Sequence, residues 1–583
     1  MPDPTNSQIA AAFEELGDLY ELDGAIVHRV VAYRTAGKAV RDATVSVAAL
    51  AREGRATELA GIGKTLEEKI LALIETGDIP SATRLREKFP TGLIAVTHLP
   101  GLGPKRARRL FDELGVDSLD ALRAAAEQQR IRALRGFGAK AEESILEALT
   151  AVAEGQGRVR VLLDRALAVG EAIVDSLRQH PAAERVELAG SARRMTDTVK
   201  DLDVIATAHD PAALAAALGD IELVEAVGAV SEAGARAITH TGLTVDLKVV
   251  APDQFGNLLQ HFTGSKEHNM ALREAAVRKG LHVSEYGVLD DATGETHRCE
   301  TEEEVYALLG LAYIQPELRE GRGELEAAAH GGAGLPELIG EADLVGDLHC
   351  HTIASDGRNT ISEMALAARG RGYQYLAITD HSASHGFGNH VEPDELRRQI
   401  DRVREVDARL DGFRLLAGSE VNILPDGSLD YDDDLLAQLD WVIASVHTSF
   451  RIGERAMTDR ICAALENPFV DALGHPTGRM LGRRDPYEVD MAAVIECAAR
   501  TGAMLEINAN PNRRDINDVH ARAAAGAGVP ILIDSDAHGT NTFGVVRYGI
   551  ATARRAWLET RHVANARSWA ELSKLRKPAR REP

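Results

Sequence analysis

Gly190-Ser191-Ala192-Arg193-Arg194, running on to Asp201-Leu202-Asp203-Val204-Ile205-Ala206, is the stretch on which the reading of this chain turns. Val186-Glu187-Leu188-Ala189 before it predicts a strand ending in a Gly-Ser turn, and the residues after the turn predict a short helix. The first N–H groups of such a helix are unbonded and carry its positive dipole end, which suits a triphosphate. Asp201 and Asp203 stand at i and i+2 of an apolar strand, so both carboxylates project from one face. Two acids held that close repel unless a cation lies between them, and the pair therefore predicts divalent metal. Asp246 is the third candidate, a single acid inside the apolar run Thr244-Val245-Asp246-Leu247-Lys248-Val249-Val250. Three carboxylates on adjacent strands match two-metal phosphoryl transfer, in which the ions hold the attacking and leaving oxygens.

These features, with Phe262-Thr263-Gly264-Ser265 followed by Asn269 and Arg273, resemble the family X DNA polymerases within the nucleotidyltransferase superfamily. The resemblance implies that Asp201 and Asp203 hold Mg2+ (or Mn2+) and that Asp246 helps to deprotonate the primer 3′-hydroxyl. It assigns Gly190, Ser191 and Arg194 to the triphosphate and Phe262, Gly264 and Ser265 to the start of the nucleotide-binding helix. It gives Asn269 the minor-groove contact to the incoming base and Arg273 the template-strand contact. One departure is visible: His261 stands where polymerase beta has tyrosine, in a segment near the sugar.

At 583 residues the chain is too long for one core, and two to four domains are expected. Apolar content of 45% and charged content of 27% are ordinary for a globular protein. There is no long uncharged apolar run and no basic-then-apolar start, so a cytoplasmic, nucleoid-associated location is expected, without membrane. Cys299, Cys350, Cys462 and Cys497 lack the spacing of a disulfide framework or a zinc ribbon. The net charge of −23 argues against a protein that wraps nucleic acid, but average charge is a poor guide when domains differ. Part of the acidity is candidate metal ligand, and bases cluster at Lys105-Arg106-Ala107-Arg108-Arg109 and from Lys574 to Arg581. A limited, salt-sensitive DNA footprint follows.

Residues 1–157 are helical in pattern, with three near-repeats: Leu59-Ala60-Gly61-Ile62-Gly63, Leu99-Pro100-Gly101-Leu102-Gly103 and Leu134-Arg135-Gly136-Phe137-Gly138. Paired glycines let backbone N–H groups approach a phosphate, which fixes position without reading sequence. The repeats resemble helix-hairpin-helix motifs, with Gly61, Gly63, Gly101, Gly103, Gly136 and Gly138 as DNA contacts. Ala32-Tyr33-Arg34 and the first repeat resemble the small N-terminal domain of polymerase beta, which would make Lys69 a Schiff-base lysine for a 5′-deoxyribose phosphate. An exposed helix lysine is the commoner explanation, because Glu67 and Glu68 oppose the lowered pKa such a nucleophile needs.

Residues 158–315 read as an α+β polymerase core with its closing subdomain, 316–343 as a linker, and 576–583 as a basic tail. In 344–575 apolar runs alternate with helical stretches, and the runs end in Asp347-Leu348-His349-Cys350-His351, Thr379-Asp380-His381, Ser419-Glu420, Val446-His447, Gly474-His475, Leu505-Glu506 and Asp534-Ser535-Asp536-Ala537-His538. Seven strand-helix units with polar strand ends predict a TIM-like (β/α)7 barrel whose chemistry gathers on its C-terminal face. His349 and His351 share a strand face while Cys350 points away. Imidazoles mixed with carboxylates suit zinc, manganese or iron. This segment resembles the PHP (polymerase and histidinol phosphatase) domain. The resemblance implies the ligands His349, His351, Asp356, His381, Glu420, His447, His475, Asp536 and His538 around about three ions, with Asp380 and Glu506 behind them.

The chain is thus expected to be a monomeric repair enzyme: an all-α helix-hairpin-helix domain, an α+β nucleotidyltransferase palm and a PHP barrel. Its partners would be gapped or nicked DNA and dNTPs, with extension at the palm and 3′-5′ exonuclease or abasic-end processing at the barrel. The alternatives are a histidinol-phosphate-type phosphatase tethered to a DNA-binding module, and a DNA-binding scaffold with one idle centre.

Overall fold

The computed structural model describes all residues except 1–2, 100–101, 135, 154–159, 387 and 581–583. Gly101 and the expected boundary at 157/158 therefore lie outside the described residues. The chain forms two compact units, one of residues 1–161, 168–188 and 200–251, the other of 162–167, 189–199 and 252–583.

The first unit begins with helices. Asn6–Leu22 and Val27–Asp42 lead, and later helices Lys64–Thr76, Pro104–Leu114 and Ala139–Ala153 each follow one of the expected glycine turns. Ile9, Phe13, Leu16, Val40, Leu93 and Leu110 build their common core. Gly61 and Gly136 take φ of +95° and +88°, a region that only glycine enters without strain, which is why the turns carry it. Gly63 and Gly103 cap their helices without a side-chain hydrogen bond, and both glycines are exposed.

The same unit holds a five-stranded sheet of β1 (Ala183–Leu188), β2 (Asp201–Ala208), β3 (Val224–Ser231), β4 (Gly234–Thr239) and β5 (Thr244–Val249), in the order β1-β2-β5-β4-β3. β2 and β5 run parallel and the other pairs antiparallel. In β5 buried Val245, Leu247 and Val249 alternate with half-buried Thr244, Asp246 and Lys248, the period that makes the run a strand.

The second unit contains an antiparallel three-stranded sheet, β6 (Leu281–Ser284), β7 (Gly287–Asp290) and β8 (Thr296–His297), packed with helices Lys266–Val277 and Glu302–Leu308. Residues 316–343, expected as a linker with short helical pieces, form such pieces, and the segment also buries Leu318, Arg319, Glu324, Leu325 and Ile339, with Arg319 meeting Glu302 (2.5 Å) and Glu324 meeting His268 (2.7 Å) in the interior. The expected basic tail also differs at its start: Arg576 pairs with buried Asp471 (2.8 Å) and Lys577 Nζ donates to Leu465 O (2.6 Å), so neither base is free for DNA.

The rest is the barrel: β9 (Gly346–Asp347), β10 (Tyr375–Ile378), β11 (Arg414–Asn422), β12 (Trp441–Ser445), β13 (Ala472–Leu473), β14 (Met504–Asn508) and β15 (Ile531–Asp534), all parallel and in sequence order. Continuous apolar strands flanked by helices on the outside are what a parallel sheet demands. Buried Tyr375, Leu416, Trp441, Ile443, Met504 and Leu532 belong to one core cluster, and Leu376, Leu415, Val442, Leu505 and Ile533 to another. The seam between β9 and β15 is bridged rather than laddered. His351 N donates to Ala537 O (2.8 Å), and fully buried Asn565 donates to Gly346 O (3.0 Å) and Ile533 O (2.7 Å) while accepting from Ile533 N (3.1 Å).

Among the described residues no helix is long and apolar enough to cross a membrane. Asn565→Ala strands three buried backbone groups at the seam at about 1–3 kcal/mol each. The urea midpoint of the barrel, read by fluorescence of Trp441 and Trp569, is expected to fall by about 1 M; an unchanged midpoint would show that the seam closes without this side chain.

Candidate active sites

Asp203 on β2 is in register with Asp246 on β5, and Asp201 with Thr244. Neighbouring strands lie about 4.8 Å apart, so the three carboxylates form one half-buried acidic strip on one sheet face. Arg236 on the other side of β5 sits opposite Asp246, its Nε 3.8 Å from Oδ2. The donor set, three carboxylates offering hard oxygens from one sheet face, fits Mg2+-type cations.

The nucleotide-contact candidates lie in the second unit. Gly190 opens a single helical turn, Gly190–Arg193, at φ +65°. Arg194 Nη1 donates to Thr263 O (2.5 Å) and its Nε to Glu320 (3.0 Å). Gly264, at φ +67°, ends helix Phe255–Thr263, and Ser265 caps the next helix by accepting from His268 N (3.2 Å). Asn269 accepts from Gln260 (2.9 Å) and donates to His261 O (2.8 Å), and exposed Arg273 reaches His261 Nδ1 (3.3 Å). Phe262 lies beside His261, ring centroids 5.4 Å apart, and burial pushes the His261 imidazole below its ordinary pKa.

In the helical region Lys69 is half-buried, its Nζ 3.2 Å from Ser81 Oγ and 5.9 Å from the Tyr33 ring. Glu67 is turned away to accept from Ala56 N (2.9 Å), so it does not face the lysine as its place in the sequence suggested. The expected basic run is partly neutralised: Arg108 pairs with Asp112 (2.7 Å) and Arg109 with Glu113 (2.5 Å), one turn along the helix.

The barrel mouth gathers all nine expected ligands at the C-terminal strand ends. His351, Asp356, His381 and His538 offer atoms within 4.8 Å of one another, as do His349, His351 and Asp536, and His381, Glu420 and His447. His475 joins through Glu420, Nε2 to Oε1 2.8 Å. Glu420 is buried, with His349 (3.3 Å), His381 (2.8 Å) and His447 (3.1 Å) also against it. Burial alone would raise its pKa, but the imidazoles, His447 and His349 foremost, hold it well below the carboxylate range. His349 Nε2, His351 Nδ1 and His475 Nδ1 are buried without a hydrogen-bond partner. Burial and the neighbouring His538 and His381 push His351 down to about 4, and burial and Arg513 push His475 down to about 3, leaving neutral imidazoles with free lone pairs. Buried lone pairs facing carboxylates are what a cluster of cations satisfies, so the residues fit metal.

Asp380 and Glu506 stand behind this layer. Asp380 accepts from Thr352, Ser355 and Gln399, and Glu506 holds His349 Nδ1 at 2.6 Å and accepts from His475 N at 2.6 Å. Cys350 points away and donates to Ala377 O. Two groups at the mouth, Arg513 and His385, escaped the sequence reading, and Asn508 entered it only as the end of the run Leu505-Glu506-Ile507-Asn508. Arg513 places Nε 3.7 Å from Asp536 with Nη1 buried and unpartnered, His385 stacks on His381 at 4.4 Å, and Asn508 donates to Asp536 (3.0 Å). Asn508 and Arg513 follow the Glu506 strand end, where the run Asn508-Ala509-Asn510-Pro511-Asn512-Arg513 was a polar signal in the sequence.

Glu506→Gln removes the negative charge beside His349 and leaves one acceptor oxygen for two donors, His349 Nδ1 and His475 N. Metal affinity, measured by competition with a chelator, is expected to fall about 10–100-fold with all nine ligands intact; wild-type affinity would mean that Glu506 plays no part in the centre.

Residues 4–79 match the helix-hairpin-helix domain family and 93–151 a SAM-like helix-hairpin-helix tandem. Residues 258–320 match the DNA polymerase beta thumb and 347–510 the PHP domain. The chain is 39% identical to the DNA polymerase/3'-5' exonuclease PolX of Bacillus subtilis, over 97% of this chain and 98% of that protein. A probable phosphatase of Caldanaerobacter subterraneus is 34% identical over 33% of this chain, and one of Photobacterium profundum 34% over 28%, in the PHP part alone. With the acidic strip, the thumb and the histidine-lined barrel on one polypeptide, matched end to end by such a relative, this chain belongs to the family X DNA polymerases that carry a C-terminal PHP domain.

Proposed function

We propose that the chain is a DNA-directed DNA polymerase that fills short gaps during repair and edits 3′ ends with its barrel. The observation that carries this reading is two separate cation-fitting centres, a carboxylate strip and an imidazole-rich mouth, in a chain similar over nearly its whole length to a polymerase with 3′-5′ exonuclease activity.

Asp201 and Asp203 would hold Mg2+ or Mn2+, and the Asp246 carboxylate would take the proton of the primer 3′-hydroxyl. Ser191 and Arg194 would meet the triphosphate of a dNTP, Asn269 the base and Arg273 the template. For that, Arg194 has to exchange its bonds to Glu320 and Thr263 O for phosphate oxygens. The exposed glycine turns would grip the backbone of gapped or nicked DNA by their N–H groups. At the barrel, the nine ligands would hold about three zinc, manganese or iron ions, which when bound activate water and neutralise charge on a phosphate ester. Arg513, facing the same mouth with an unused N–H, would orient the phosphate. Lys69 has the half-buried setting that a Schiff-base lysine would use. We take the domains as 1–157, 158–315 and 344–575, and the working form as a monomer in the cytoplasm, on the nucleoid.

The probable phosphatases aligned to the barrel support one second reading, a small-molecule phosphatase tethered to a DNA-binding module. Phosphate release from histidinol phosphate with no shortening of DNA would favour it.

On gapped DNA, Asp201→Ala is expected to lower nucleotide addition by about three orders of magnitude, the several kcal/mol that a clamped cation contributes, and to leave 3′ trimming intact. His349→Ala is expected to do the reverse. Either variant keeping its assigned activity would remove that residue from its site.

A further inference from the structure

We propose that the PHP barrel supplies positioning residues to the polymerase: Arg555 and Arg514 hold the segment 189–199 in the form in which Arg194 can meet a triphosphate. The inference rests on the reading of Gly190, Ser191 and Arg194 as nucleotide contacts.

A single turn of four residues is a poor helix by itself, since nucleation is unfavourable, and the segment's own bonds, such as Arg194 N to Gly190 O (3.2 Å) and Thr196 N to Ser191 O (3.2 Å), engage the carbonyls of the turn rather than those after it. The carbonyls that follow it are taken up by the barrel. Arg555 Nη1 donates to Arg194 O (2.9 Å) and Arg514 Nη2 to Met195 O (2.9 Å). Met195 stands at φ +55° and Arg514 at φ +45°, left-handed conformations that non-glycine residues keep only where the surroundings enforce them. Asp197, two residues on, is paired through Oδ2 with Arg479 (2.9 Å) and through Oδ1 with Arg514 (3.2 Å). Three arginines of the barrel thus close on polar groups at positions 194, 195 and 197 of one loop.

The contact also reaches the Arg194 side chain. Glu320 Oε1 accepts from Arg194 Nε (3.0 Å) and from Arg555 Nη1 (2.7 Å), so one carboxylate oxygen bridges the candidate triphosphate ligand and the barrel. Arg555 is anchored at its far side by Asp518 (3.0 Å), which Arg322 also meets (3.0 Å). The Arg514 and Arg555 side chains are 1% and 9% exposed, so these charge-assisted bonds are shielded from water. When a nucleotide draws Arg194 away from Glu320, Arg555 remains to balance that carboxylate and to keep the loop carbonyl in place. None of these groups is a metal-ligand candidate, so the device serves nucleotide addition and not 3′ trimming.

The test uses the full-length enzyme on gapped DNA, with dNTP as the varied substrate. Arg555→Gln is expected to raise KM for dNTP about tenfold, the loss of one or two charge-assisted bonds, with kcat and the trimming rate within about twofold of wild type. Arg555→Lys, which keeps the charge but not the planar fork, is expected to recover part of the affinity. Asp197→Asn approaches the same contact from a partly exposed residue of the loop itself and is expected to raise KM in the same direction. A KM unchanged in both Arg555→Gln and Asp197→Asn, or an equal loss of extension and trimming in both, would overturn the proposal. Arg194→Ala separates the two layers: if it leaves KM for dNTP unchanged, the nucleotide reading of the loop fails; if it raises KM while the other two variants do not, only the positioning role fails.

Discussion

Burying a carboxylate requires opposite charge or hydrogen-bond donors beside it, and the barrel is arranged around that requirement at Glu420. Five imidazoles, of His349, His351, His381, His447 and His475, approach its two oxygens within 2.8 to 3.6 Å. A carboxylate offers about four lone pairs, fewer than five ring nitrogens can share as hydrogen bonds, and several rings keep a buried nitrogen with nothing to bind. Protons cannot satisfy such a centre completely, whereas cations can. The same electrostatic logic, with fewer groups and more water, governs the strip of Asp201, Asp203 and Asp246 on the first unit's sheet.

That requirement explains the barrel's architecture. Each ligand has to leave a strand at its C-terminal end, so the strands are parallel, short and held from outside by helices. Short strands leave the closure weak. β9 has two residues, and the gap beside β15 is spanned by Asn565, a buried amide that satisfies backbone groups on both sides. A polar side chain in the core is tolerated there because its donors and acceptor are all engaged.

A second set of buried charges lies away from the metal centre. Arg479, Arg514 and Arg555 meet Asp197, Glu320 and Asp518, and each cation touches a carboxylate that another cation shares. Isolated surface pairs such as Arg108 and Asp112 add little to stability, but a shielded network gives geometry. In this chain the network takes up the carbonyls of Arg194 and Met195 and the Asp197 carboxylate, groups of the second unit's own loop.

Local pattern carried much of this in the sequence. The i, i+2 spacing of Asp201 and Asp203 in an apolar strand, the recurrence of polar groups at seven strand ends, and the paired glycines before Lys64, Pro104 and Ala139 are short-range features, set by the pleat, the βα unit and the glycine turn. What depended on partners distant in the chain was not readable. The stretch 316–343 has the composition of a linker, yet Arg319 and Glu324 are drawn inside by Glu302 and His268; Arg576 and Lys577 read as tail until Asp471 and the Leu465 carbonyl take them in. Arg513 enters the metal mouth, and Arg514 beside it turns the other way to hold Met195, in a turn after the strand where Arg514 takes a left-handed φ of +45°. The sequence by itself determined the strands, the turns and the kinds of ligand, since those follow from period and residue type. Only the tertiary structure decided which charges met, because a buried charge finds its partner through space and not along the chain.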